Sequence, residues 1–142
     1  MNLLSLHPAL IQFASQLLGN QPVQLYQSHT WAKFTGEADY EQPFHCDYGN
    51  HTLTVPAEHV TQRTVNFVLY LSDVTDALGA MHYVTKSASD AVLGPRAITA
   101  PIEFQAALRA QQYSDAAPAG SLVAYGIDTF HSGTKITEPN GL

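Results

Sequence analysis

The chain has 142 residues, 45% of them hydrophobic and 13% charged, which is length and apolar content enough for one globular domain with a sizeable core. Six basic against twelve acidic side chains leave a net charge of −6, a poor match for phosphate backbones or anionic membranes, so nucleic-acid and membrane partners are not expected. No apolar run approaches the roughly 20 residues of a membrane span, no basic residue precedes Lys33 to form the leader of a signal peptide, and the one cysteine, Cys46, excludes an internal disulfide, so a soluble cytoplasmic protein is expected.

Leu10, Ala14, Leu17 and Leu18 recur at helical spacing behind Pro8 and ahead of Gly19-Asn20, which predicts a helix from about Pro8 to Leu18. Val23 to Trp31 reads as an extended segment, and Gly36 to Pro43 as a polar turn region. The clearest strand is Thr64 to Leu71, rich in β-branched and aromatic residues. Its one face, Val65, Phe67, Leu69 and Leu71, is wholly apolar and is expected on the core. The other, Asn66, Val68 and Tyr70, carries two polar tips and is expected to line a cavity. Asp73 to Gly79 turns the chain into a second short strand, Ala80 to Thr85. Pro101 to Tyr113 predicts a helical excursion with Phe104, Ala107 and Leu108 on one side, closed by Pro118-Ala119-Gly120, after which "SLVAY" begins a further strand. Short strands separated by Gly, Pro and Asp point to a single-domain β-sandwich or barrel with accessory helices.

The chemistry concentrates in "QPFHCDYGNHT". His45 and Asp47 stand two residues apart, so on a strand their side chains share a face and can converge on one ion, while Cys46 points away and packs. A third ligand must come from elsewhere, and His131 in "GIDTFHSGT", at the end of a predicted strand, can supply it. Two imidazoles and one carboxylate on one side of an ion leave the opposite positions open, as an iron(II) centre needs when it binds a cosubstrate and dioxygen together. Thiolate-rich zinc or iron–sulfur sites have no ligands here beyond Cys46. Phe44, Tyr48 and Trp31 can wall a substrate cavity or serve as core. His51 can contact substrate or sit at the surface, His82 reads as structural, Asp128 as a turn residue, and His7, His29 and His59 have no evident partner.

His-x-Asp is a short pattern and takes its weight from what surrounds it. The stretches "QPFHCDYGNHTL", "VNFVLYLSDVTDALGAMHYVTKSASD" and "AGSLVAYGIDTFHSGT" follow one another over about Gln42 to Thr134. In order and spacing they resemble the phytanoyl-CoA dioxygenase family of iron(II), 2-oxoglutarate-dependent oxygenases. The resemblance implies a mainly β chain, a double-stranded β-helix (jelly roll, cupin-like) with N-terminal and inserted helices, and iron held by His45, Asp47 and His131. It implies oxidative decarboxylation of 2-oxoglutarate to succinate and carbon dioxide, coupled to hydroxylation of a C–H bond of a small organic substrate by dioxygen. Asp47 argues for hydroxylation, because related halogenases carry a small residue there. Lys33 resembles a family lysine facing the cosubstrate. Thr134, with Ser132, stands near the family's hydroxyl position past the distal His, where this chain has Gly133. Asn66 and Tyr70 are expected to reach the same pocket. The family's cosubstrate-clamping arginine, about ten residues beyond that His, has no counterpart before Leu142, so two readings stand: the sequence is a fragment lacking the arginine and the final strand, which is the favoured expectation, or the cosubstrate is held differently. Two other functions stay open on the same residues: a zinc hydrolase and a non-catalytic binding module with a vestigial metal site. Neither the substrate nor the oligomeric state is legible in the sequence.

Overall fold

Proline at the first helical position has its φ already set and no N–H to leave unpaired, and Pro8 starts the longest helix of the computed structural model, which describes residues 2–35, 39–50 and 64–138. This helix, α2 (Pro8–Leu17), follows a short α1 (Asn2–Ser5); the Nδ1 of His7 caps it by accepting from the Ala9 N–H. Gly19 and Asn20, both at positive φ, turn the chain out of it. The segment Val23 to Trp31 belongs to neither helix nor strand. Residues 36–38 of the predicted polar turn, His51 and His59 lie outside the described residues.

Among the described residues, five short strands follow in two antiparallel sheets: β1 (Val65–Leu69), β2 (Met81–Tyr83), β3 (Tyr113–Ser114), β4 (Leu122–Gly126) and β5 (His131–Gly133). β1 pairs with β4 in the register Asn66 opposite Tyr125 and Phe67 opposite Ala124. β2 lies between β3 and β5, with Tyr83 opposite both Tyr113 and His131. The segment before Asp47 extends this second sheet at its β5 edge. His45 and His131 exchange both backbone hydrogen bonds, and the Gln42 N–H donates to the Gly133 carbonyl.

Side chains on this second sheet alternate as the pleat demands. Phe44, Cys46, Val84 and Phe130 point to one side and form the core with Leu108, each at most 5% exposed. Two helices cover that side: α3 (Lys86–Leu93), and α4 (Gln105–Arg109), which continues a 3-10 turn at Ile102–Phe104. Thr85 caps α3 by accepting from the Ala88 N–H, and Gly94, at positive φ, ends it. The neighbouring residues His45, Tyr83 and His131 point the other way, to the side where Asn66 and Tyr125 of the first sheet meet them.

The fold departs from a mainly β chain. It mixes helix with antiparallel strand, because several strands are only two or three residues long and the polar stretch after Thr85 is helical. The apolar face of β1 is also less buried than predicted. Phe67 meets Phe13 of α2, but Leu69 is 37% exposed and Leu71 62%. In the Pro101–Tyr113 excursion only Leu108 is buried, while Phe104 and Ala107 are exposed. Among the described residues, no helix is long and apolar enough to cross a membrane.

Candidate metal centre

Backbone pairing explains how residues far apart in sequence meet. The His45–His131 bridge puts two imidazoles on adjacent strands, pointing to the same side, with ring centroids 4.5 Å apart. The extended chain ends at once after His45. Asp47 opens a 3-10 turn (Asp47–Asn50), and its N–H donates to the Ile127 carbonyl. The carboxylate still turns to the side of His45, as the i, i+2 spacing predicted, and Asp47 Oδ1 lies 3.6 Å from His131 Nε2. His131 does not end the strand that begins at "SLVAY". That strand stops at Gly126, residues 127–128 form a turn, and His131 opens β5.

Each imidazole is locked in one tautomer. His45 Nδ1 is 2.9 Å from the Pro43 carbonyl, and His131 Nδ1 is 3.0 Å from the Thr129 carbonyl. A carbonyl can only accept, so Nδ1 carries the proton in both rings and Nε2 keeps a free lone pair. Burial pushes the His131 pKa down, so its lone pair stays available below the ordinary imidazole range. One ligand atom from each of His45, Asp47 and His131 lies within 4.8 Å of the others. Donor atoms grouped this closely could reach the roughly 2.0–2.2 Å bonds of a shared ion. The donors are two nitrogens and one carboxylate oxygen; the thiol of Cys46 faces the core and donates to the Ile98 carbonyl. The residues present fit a divalent transition metal that accepts imidazole and carboxylate.

The model of the phytanoyl-CoA dioxygenase (PhyH) family matches residues 3–138. The chain belongs to this family. No curated protein matches it. The family is one of dioxygenase-like enzymes, and in this member all three clustered donors fall inside the matched region.

The remaining site residues predicted from sequence are scattered. Asn66 reaches the triad, but through a ligand: its Nδ2 donates to Asp47 Oδ2 at 2.7 Å. Lys33 donates to the Thr134 carbonyl at 2.6 Å and the Gly79 carbonyl at 3.2 Å, and burial lowers its pKa. The Thr134 hydroxyl donates to the Ala80 carbonyl and the Ser132 hydroxyl to the Gln42 carbonyl, so both brace backbone. Tyr70 is buried beside Asp115, and burial raises the pKa of both. Phe44 is 1% exposed in the core, on the opposite side of its strand from His45, so the structure does not bring it to the triad. Tyr48 packs against the same core, and Trp31 is 77% exposed.

Three residues at the site went unrecognised in the sequence. Tyr83 and Tyr125 close over His131, with ring centroids 5.8 and 5.1 Å from it, and the Tyr125 hydroxyl approaches Asp47 Oδ2 at 3.4 Å. Burial, reinforced by the Asp47 charge, raises the Tyr125 pKa, so its phenol stays neutral beside the carboxylate. Gln105 holds Phe44, next to His45, by both its backbone groups. The alternation of Val123 and Tyr125 in "SLVAY" was the available signal for Tyr125. Gln105 offered none, because a lone Gln in a short helix is ordinarily a solvated residue.

Proposed function

We propose that this protein is an iron(II)- and 2-oxoglutarate-dependent dioxygenase that hydroxylates a C–H bond of a small organic substrate, releasing succinate and carbon dioxide. One observation carries the reading: in a chain of this family, two imidazoles with fixed tautomers and one aspartate oxygen converge from two segments far apart in sequence. Iron(II) and 2-oxoglutarate, when bound, supply the oxidising power to insert an oxygen atom from dioxygen into a C–H bond. The chain's part is to hold, orient and dry the site. His45 and His131 bind through Nε2, and Asp47 neutralises part of the metal's charge. The rings of Tyr83 and Tyr125 keep water from the buried side of His131. In this reading the two sheets are the facing walls of a jelly roll, with Lys33 and Thr134 at the end of β5 on the cosubstrate's side.

The test is titration of the anaerobic iron(II)-loaded protein with 2-oxoglutarate. Chelation by the keto acid gives a weak visible charge-transfer band, which the Asp47→Ala protein should lack. A wild-type protein that binds iron(II) but develops no such band would overturn the dioxygenase reading. A metal-dependent hydrolase or a non-catalytic module would then fit better.

A further inference from the structure

The two oxygens of Asp47 are treated differently. Oδ2 accepts from Asn66 Nδ2 at 2.7 Å and is approached by the Tyr125 hydroxyl at 3.4 Å, whereas Oδ1 faces His131 Nε2 at 3.6 Å. Asn66 and Tyr125 are direct partners across the β1–β4 ladder, so one register delivers both donors to one oxygen. Both are neutral, and neither replaces the carboxylate's charge. Asn66 holds the plane of the group by its short bond; Tyr125 adds a longer second contact.

From this geometry we infer that Asn66, assisted by Tyr125, is a positioning residue that keeps Asp47 a one-oxygen ligand, bound through Oδ1. The inference rests on the metal-site reading and adds the reason the site stays open. Around a roughly octahedral ion, His45, Asp47 and His131 would take three positions. A two-toothed cosubstrate and dioxygen need the other three. Were Asp47 to swing and bind through both oxygens, it would occupy one of those places. Turning the carboxylate that far would pull Oδ2 away from the Asn66 amide that holds it at 2.7 Å. Such a part-buried bond to a carboxylate is among the stronger ones. Partners that orient a ligand in this way are typically worth about 10–100-fold in metal affinity.

Cobalt(II) provides a readout independent of turnover, because its visible d–d bands report coordination number and geometry. The wild-type protein, Asn66→Leu, Asn66→Ala and Tyr125→Phe are each titrated anaerobically with cobalt(II), and the metal-free proteins are melted in parallel. Asn66→Leu should bind cobalt(II) about 10–100-fold more weakly and with a changed d–d spectrum. Tyr125→Phe should follow in the same direction by less. A merely structural asparagine would instead lower the melting temperature and leave the spectrum of the folded protein as in wild type. Asn66→Ala gives the same comparison with a smaller side chain should the leucine protein fail to fold. Wild-type affinity and spectrum in either folded Asn66 variant would overturn the inference while leaving the metal site standing. A wild-type protein that does not bind cobalt(II) would overturn the metal reading itself.

Discussion

Gln105 is the side chain on which the approach to His45 hangs. Its Oε1 accepts from the Phe44 N–H at 2.7 Å, and its Nε2 donates to the Phe44 carbonyl at 3.0 Å and the Ala100 carbonyl at 2.9 Å. Phe44 points into the core on the outer side of the sheet, so its backbone has a side-chain amide where a further strand would otherwise pair. Gln105→Ala strands one N–H and leaves two carbonyls without this donor in a part-buried setting. A stranded group costs about 1–3 kcal/mol when dry and less where water reaches it. With all three near the lower figure, the loss is about 3 kcal/mol, or a fall of about 10 °C in Tm for a domain of this size. Urea denaturation followed by circular dichroism measures it, with Gln111→Ala on the exposed side of the same excursion as a control expected within about 0.5 kcal/mol of wild type. Gln105→Glu sharpens the test, because the carboxylate keeps the acceptor for Phe44 but confronts two carbonyls. Its pKa should rise on folding, so the glutamate protein should regain stability as pH falls and lose it as pH rises through the folded-state value. A Gln105→Ala protein within about 0.5 kcal/mol of wild type would show that the Phe44 backbone does not depend on this clamp.

Three further outcomes are expected. Gly79 sits at φ +81°, and a Cβ there would meet the Thr134 carbonyl oxygen at 2.8 Å, so Gly79→Ala should cost about 1–3 kcal/mol in thermal unfolding; an unchanged Tm would refute the close approach. Burial depresses the His131 pKa, so its contribution to the metal-free fold is present above the unfolded imidazole pKa and fades as pH falls through the lower folded value; acid unfolding of His131→Gln should lack that component. His82 meets Asp76 at 3.3 Å on the face away from His131, so His82→Ala should keep cobalt(II) affinity within about twofold, and a loss nearer the 10-fold scale of a ligand partner would mean that the metal's surroundings have been misassigned.

Residue types and their spacing pointed to a metal site. Two nitrogens and a carboxylate in the order His45, Asp47, His131 needed no coordinates to suggest a metal, because strand alternation already turns residues 45 and 47 to one side. The same alternation, applied to Cys46, correctly put the thiol in the core; applied to Phe44, it would have put that ring there too. The helix at Pro8, the strand around Phe67 and the one at "SLVAY" were legible because hydrophobic period and Pro/Gly punctuation are local signals. Helix α3 was not, since its "KSASD" opening is polar and only its Thr85 cap and Gly94 stop mark it.

Pairing partners were the property of the folded chain. That Asn66 stands opposite Tyr125, and that both reach one oxygen of Asp47, depends on the β1–β4 register, and a one-residue slip would turn both side chains to the other face. Likewise, Gln105 finds Phe44 across 61 positions only once α4 has packed on the sheet. A ligand set can be read from composition and spacing because it depends on what the atoms are. Its orientation depends on where neighbours end up after packing, and no local pattern in the chain encodes that.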